Sequence, residues 1–321
     1  MPVSFIIGAA GGLASAALFY SAARGSPLLS TFLLLLTPLP TLLAGLGWGW
    51  LPAVAGALAG AIAMAIAVSG TFAVGYFLAL GAPAALIAYL AYLNRTDPDD
   101  PNLVEWYPAG RLMAAMAIYA GVLPLLFLPL IGGSYEVLRA PLVTVFQRIS
   151  SGAAPGLGMP SLTPEQIENL ATLFVAALPG AIAAYWLGIF TINTYLAGRI
   201  ARASGRLGRD WPDLAAMSYP PGFPLLLAAA AAASFAPGLI GTAGTSFSGG
   251  FLFAYFVLGL ALVHFVARGR APWILWFVYA GLIVSPYAAV ALVLGGLLEP
   301  VLKLRQRFGS TPPAPPPSTP T

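Results

Sequence analysis

The sequence predicts an all-α protein: a polytopic transmembrane helical bundle of about eight to ten membrane-spanning helices, several of them broken. Three observations predict it. Apolar runs long enough to cross a bilayer follow one another closely; 59% of the 321 residues are hydrophobic and 7% are charged; the mean hydropathy is +0.88. A soluble domain carries about a quarter of its residues as Asp, Glu, Lys or Arg. A chain this poor in charge cannot cover a water-facing surface, so hydrocarbon is its expected solvent.

Nine runs can be marked, at about 4–23, 27–46, 51–69, 71–93, 111–132, 168–198, 223–243, 247–267 and 271–302. The first lacks the basic segment of a cleavable signal and exceeds such a signal's apolar core, so it reads as a retained helix. In the second, Thr37-Pro38-Leu39-Pro40-Thr41 should break the helix and free backbone carbonyls at membrane depth. Pro124 and Pro129 kink the fifth run, and Pro179-Gly180 the sixth. The ninth is too long for one upright crossing and holds Ser285-Pro286 at its middle, so it is one kinked helix or two short ones.

Between the fifth and sixth runs, Leu138, Leu142, Val145, Phe146 and Ile149 recur at helical spacing, with Thr144, Gln147 and Arg148 opposite. That pattern predicts an amphipathic helix at the membrane surface. After a Gly/Pro-rich turn, Thr163-Pro164-Glu165-Gln166 is a capping box, so the sixth helix starts near Pro164.

Arginine sets the orientation. Arg95 and Arg111, then Arg199, Arg202, Arg206 and Arg209, then Arg268 and Arg270 all fall in even-numbered connections. The positive-inside rule puts those connections and the N-terminus in the cytoplasm. Lys303, Arg305 and Arg307 join them only if the ninth run crosses twice. Residues 1–308 then form the membrane domain, and the Pro-rich 309–321 a disordered cytoplasmic tail.

Composition also excludes. Without cysteine there is no disulfide, thiolate chemistry or Cys-based metal site. The excess of positive charge is +4, which suits anionic lipid headgroups and is too sparse for nucleic acid. No paired carboxylates or Ser-His-Asp set stands out, so neither an enzyme nor a cofactor is expected. Asp97, Asp99, Asp100 and Asn102 cluster but lack the glycine and glutamate of a calcium loop, and read as a solvated turn.

Four features could carry function. Arg199, Arg202, Arg206 and Arg209 are spaced three, four and three apart, within an arc of about 80° on a helix. A sixth helix continuing past the membrane would present them as a basic stripe, for anionic headgroups or for a cytoplasmic partner. Trp186 and Asn193, seven apart in the sixth run, share a face; an amide at that depth is interhelical glue or a substrate contact. His264, the only histidine, precedes Arg268 by one helical turn, as an interfacial group or a ligand contact. Gly8, Gly12 and Ala16 make a ridge of small residues, repeated by Gly56 and Gly60. Such ridges pack within a chain or against a partner subunit.

Three stretches share one resemblance: EWYPAGRL at Glu105–Leu112, NTYLAGRIARASGRLGRDWP at Asn193–Pro212, and GLALVHFVARGR at Gly259–Arg270. Over most of its length to about Phe308 the chain resembles the YybS-like family of bacterial membrane proteins, itself distantly similar to the substrate-binding subunits of energy-coupling-factor transporters. That likeness implies a helical bundle with a ligand cavity and no ATP site of its own. It would give Gly8, Gly12 and Ala16 the docking of a membrane coupling subunit. A small solute would then be bound by neutral groups such as Thr37, Trp186, Asn193 and His264. The competing expectation is a non-transporting scaffold in envelope assembly or morphogenesis.

Overall fold

A computed structural model describes residues 2–96, 104–151, 162–268 and 273–308. Apart from one small hairpin, the regular structure of these residues is helical: α1 Pro2–Ala22, α2 Pro27–Leu36, α3 Leu39–Trp48, α4 Trp50–Ala67, α5 Gly70–Tyr76, α6 Ala82–Tyr92, α7 Ala109–Phe127, α8 Arg139–Ser150, α9 Pro164–Ala203, α10 Phe223–Ala233, α11 Gly238–Ala267, α12 Trp273–Val284, α13 Pro286–Leu302 and α14 Leu304–Phe308. Seven helical segments among them are long and apolar enough to cross a membrane: Val3–Ala22, Pro27–Trp48, Trp50–Ala67, Gly70–Tyr92, Ala109–Ile131, Pro164–Ala203 and Gly238–Ala267. The protein is thus a multi-pass membrane protein of the all-α class.

Two segments are discontinuous. The break expected at Pro38 and Pro40 divides Pro27–Trp48 into α2 and α3. A second, not expected from the sequence, is a π-helical turn at Phe77–Gly81 between α5 and α6. The ninth apolar run is two helices: Ser285 caps α13 by accepting from Tyr287 N, and Pro286 opens it. The boundary between the seventh and eighth runs falls earlier than expected, since Pro237 precedes Gly238 and α10 already ends at Ala233. Gly244 then packs on α10, where an added Cβ would lie 2.3 Å from Ser234 N.

The chain divides into two compact units. The first comprises residues up to Pro212 and Tyr219–Phe253; the second comprises Asp213–Ser218 and the described residues from Ala254 onward. In the first, α1 and α4 meet backbone to backbone. A Cβ on Gly12 would lie 1.8 Å from Gly56 O, and one on Gly8 2.1 Å from Pro52 O. Ala16 continues the contact in a cluster with Met64 and Tyr76. The α9 face toward α11 is as close, with a Cβ on Gly249 falling 2.1 Å from Gly180 O. In the second unit, Gly259 and Gly296 bring α11 and α13 together in the same way.

The amphipathic helix is α8. Leu138 and Leu142 pack with Leu128, Tyr135 and Val175, and Phe146 meets Phe174 edge-on at 5.1 Å. Thr163 Oγ1 and Gln166 Oε1 close the expected capping box, and α9 begins at Pro164. Asn94–Thr96 and Val104–Trp106 form an antiparallel hairpin that the sequence did not announce. Asp97, Asp99, Asp100 and Asn102, Arg270, the Gly/Pro-rich turn at 152–161 and the 309–321 tail lie outside the described residues.

Candidate functional site: a polar seam along α9

Proline has no N–H, so Pro38 and Pro40 leave carbonyls of α2 without their helical donors. Nearby side chains take up carbonyls along this stretch. Thr37 Oγ1 donates to Leu33 O at 2.8 Å, Asn193 Nδ2 to Leu35 O at 2.6 Å, and Ser15 Oγ to Thr37 O at 2.6 Å. Asn193 Nδ2 also reaches Ile189 O in its own helix, at 2.8 Å. Ser15, Thr37, Thr41 and Asn193 are all buried. Tyr76 adds its hydroxyl to Gly12 O at 3.3 Å.

The π-turn is treated likewise. Pro83 cannot donate to Ala79 O, and Trp186 Nε1 does so at 2.7 Å. Tyr119 OH donates to Leu78 O at 2.6 Å. The Trp186 ring is stacked between Tyr119 and Phe190, with centroids 5.4 and 4.3 Å away. Trp186 and Asn193 therefore project from one buried face of α9 and meet one interrupted segment each. Where no water is present, such pairings are what makes broken helices tolerable.

The seam is not fully satisfied. Asn193 Oδ1, Thr41 Oγ1, Thr194 Oγ1 and Ser248 Oγ are buried without a hydrogen-bond partner. Each such atom costs about 1–3 kcal/mol. On the outer side, Leu35, Tyr185, Gly188, Ile192 and Phe253 line an open, apolar groove of about 330 Å³.

Of the residues singled out in the sequence, Thr37 and Asn193 meet at the α2–α3 break, and Trp186 lies two turns from Asn193. His264 belongs to the second unit. Its Nδ1 lies 2.9 Å from Leu260 O, which can only accept, so Nδ1 carries the proton and Nε2 faces Tyr279 OH at 3.4 Å. Gly8, Gly12 and Ala16 pack against α4 of the same chain, the intrachain role open to such a ridge. Ser15, Tyr76 and Tyr119 were missed; they act across the fold, and only their hydroxyls within apolar runs could have marked them.

The basic stripe is corrected in its geometry. The helix stops at Ala203, with Gly205 at φ 66° and Arg206 N returning to Ala201 O at 2.8 Å. Arg206 and Arg209 therefore leave the helical face. Each of the four guanidiniums lies over an aromatic ring: Arg199 on Tyr195, Arg202 on Trp211, Arg206 on Trp48 and Arg209 on Trp106, at 5.6–5.9 Å. Arg209 is already engaged, donating to Ala91 O at 2.8 Å and to Tyr107 O at 3.4 Å. Burial pulls its pKa below the ordinary arginine value, against the opposing fields of Tyr92 and Asp210. No family model, curated protein or solved structure matches the chain.

Proposed function

We propose that the protein binds, and moves across a bacterial inner membrane, a small neutral polar solute at the seam between α9 and the two interrupted helices. The observation that carries this reading is the set of buried, unpartnered oxygens, Asn193 Oδ1 above all, beside a helix break. Discontinuous helices at mid-depth are where transporters coordinate their substrates. Trp186 would supply a face for the solute and Thr37 a fixed carbonyl environment. The resemblance to the YybS-like family points the same way. His264 enters this reading only as a group outside the seam.

Ten crossings and a cytoplasmic N-terminus complete the proposal, with α10 and the α12–α13 pair crossing as short elements. Supporting this orientation, Asp213 grips Arg268 with both carboxylate oxygens, one bond at 2.8 Å, tying the segment after α9 to the end of α11. The scaffold reading is favoured by a different fact: the N–H groups of Trp186 and Asn193 are spent on backbone carbonyls.

Water access separates the two. The chain has no cysteine, so single cysteines can be introduced directly. In intact membranes, Thr41→Cys and Thr194→Cys should react with a small hydrophilic methanethiosulfonate, while Ala84→Cys, fully buried among apolar groups, should not. Equal inertness at all three positions overturns solute binding and leaves the scaffold.

A further inference from the structure

The outer face of α9 has an organisation that solute binding does not use. Tyr185, Gly188, Ile192, Tyr195, Arg199 and Arg202 follow one another at intervals of three or four, one continuous stripe along the helix. Its first half lines the open apolar groove of about 330 Å³. Its second half is cationic. Trp211 folds back onto it, meeting Tyr195 edge-on at 5.8 Å and lying beneath Arg202, where a Cβ on Gly198 would come 3.0 Å from the ring. A side chain at residue 198 would press on this ring, so glycine there eases the close return of the chain.

The arginines here lack counter-charges. Among the described residues, Arg199, Arg202 and Arg206 form no ion pair, and only Arg199 has a side-chain hydrogen bond, 3.5 Å to Tyr195 OH. Arg209 is the contrast, its N–H groups occupied by three carbonyls, those of Ala91, Tyr107 and Asp210. Guanidiniums carried on ring faces keep N–H edges for a planar or tetrahedral oxyanion. The spacing is that of a lipid: Gly188 to Arg202 spans about 21 Å along the helix, against about 20–22 Å for half the hydrocarbon core plus its headgroup layer.

We propose that this stripe is a binding site for one anionic phospholipid, with an acyl chain in the groove at Gly188 and Ile192 and the phosphate on Arg199 and Arg202, with Arg206 beside them. The proposal rests on membrane embedding and is independent of the solute reading. The occupant is a lipid because the groove and the cations share one stripe; a soluble phosphate would have no use for the groove.

The test is native mass spectrometry of the full chain released from nanodiscs containing phosphatidylglycerol and phosphatidylcholine in equal amounts. The wild type should retain phosphatidylglycerol selectively. Each arginine near an anionic headgroup contributes about fivefold, so the triple variant Arg199→Gln/Arg202→Gln/Arg206→Gln should lose on the order of 100-fold. Arg24→Gln/Arg95→Gln/Arg148→Gln removes the same charge and should lose none. Ile192→Trp fills the groove from an exposed position without touching a charge, and should weaken retention several-fold; it carries the test if the triple variant does not accumulate. Equal retention of the two lipids by the wild type, unchanged retention in Ile192→Trp, or displacement of the lipid by excess inorganic phosphate overturns the proposal. Recovery of the protein in plain buffer without detergent would instead overturn membrane embedding.

Discussion

Trp186 Nε1 donates to Ala79 O across 107 residues of chain, at the point where Pro83 withdraws the helical donor. Seven residues on, Asn193 donates to Leu35 O across 158 residues, beside the α2–α3 break. One face of α9 thus holds two interrupted helices by their backbones, and its polar residues are read through the defects they repair.

That arrangement fixes what Trp186→Phe should do. The ring stack with Tyr119 and Phe190 survives, while Ala79 O loses its donor in a dry setting. An unsatisfied buried carbonyl costs about 1–3 kcal/mol, so the thermal midpoint in detergent should fall by several degrees. An unchanged midpoint would mean that the π-turn closes on itself.

Asn193→Leu tests the other end of the seam. It removes the donor to Leu35 O and also the orphaned Oδ1. One loss costs about 1–3 kcal/mol and the other returns a similar amount, so the net change should be near zero, within about 1 kcal/mol. Asn193→Asp has no such offset, because it removes both donated bonds and places a carboxylate at a fully buried position. Its loss of folded protein, read by size-exclusion recovery, should exceed that of the leucine variant.

What was legible in the sequence follows from range. Pro38-Leu39-Pro40 announces its own break, because proline acts on the turn that contains it. Thr163–Gln166 announces a helix start for the same reason. Pro83 does not, since it also fits the first turn of α6 and hides the π-turn before it. The arginine spacing predicts a helix through Arg209, yet Ser204-Gly205 ends it, and a glycine stop outweighs a charge pattern because a left-handed residue terminates the hydrogen-bond ladder. Asn193 could be marked as costly from sequence; that its partner is Leu35 O could not, since nothing local connects them. Ser15, Tyr76 and Tyr119 likewise act across 22, 64 and 41 residues, beyond any periodicity.

The α1–α4 contact makes a sharper prediction. A methyl at Gly12 would overlap Gly56 O, and backbone cannot rotate out of the way as a side chain can. Gly12→Ala should cost about 1–3 kcal/mol or more, the range for overpacking, and lower the yield of folded protein in detergent. Gly70→Ala is the control, for no atom lies within 4 Å of the added carbon and its φ is ordinary. Equal yields for the two variants would refute the close approach of α1 and α4.

The Asp213–Arg268 pair gives the pH dependence. Hydrogen bonds from Arg268 hold the Asp213 carboxyl below its usual range, with the bonds from Ala215 and Ala216 N–H adding to the effect. A folded-state pKa that is depressed gives stability fully present above the unfolded value, about 3.9, and lost as pH falls through the folded one. Both side chains are about half exposed, at 48% and 54%, so solvent screening limits the pair to about 0.5 kcal/mol. The difference in unfolding midpoint between wild type and Asp213→Asn should therefore be small and constant from about pH 5 to 8, then shrink toward zero below about pH 4. High salt should shrink it throughout. A difference that grew on acidification would reverse the sign and rule out Arg268 as the group holding Asp213 ionised.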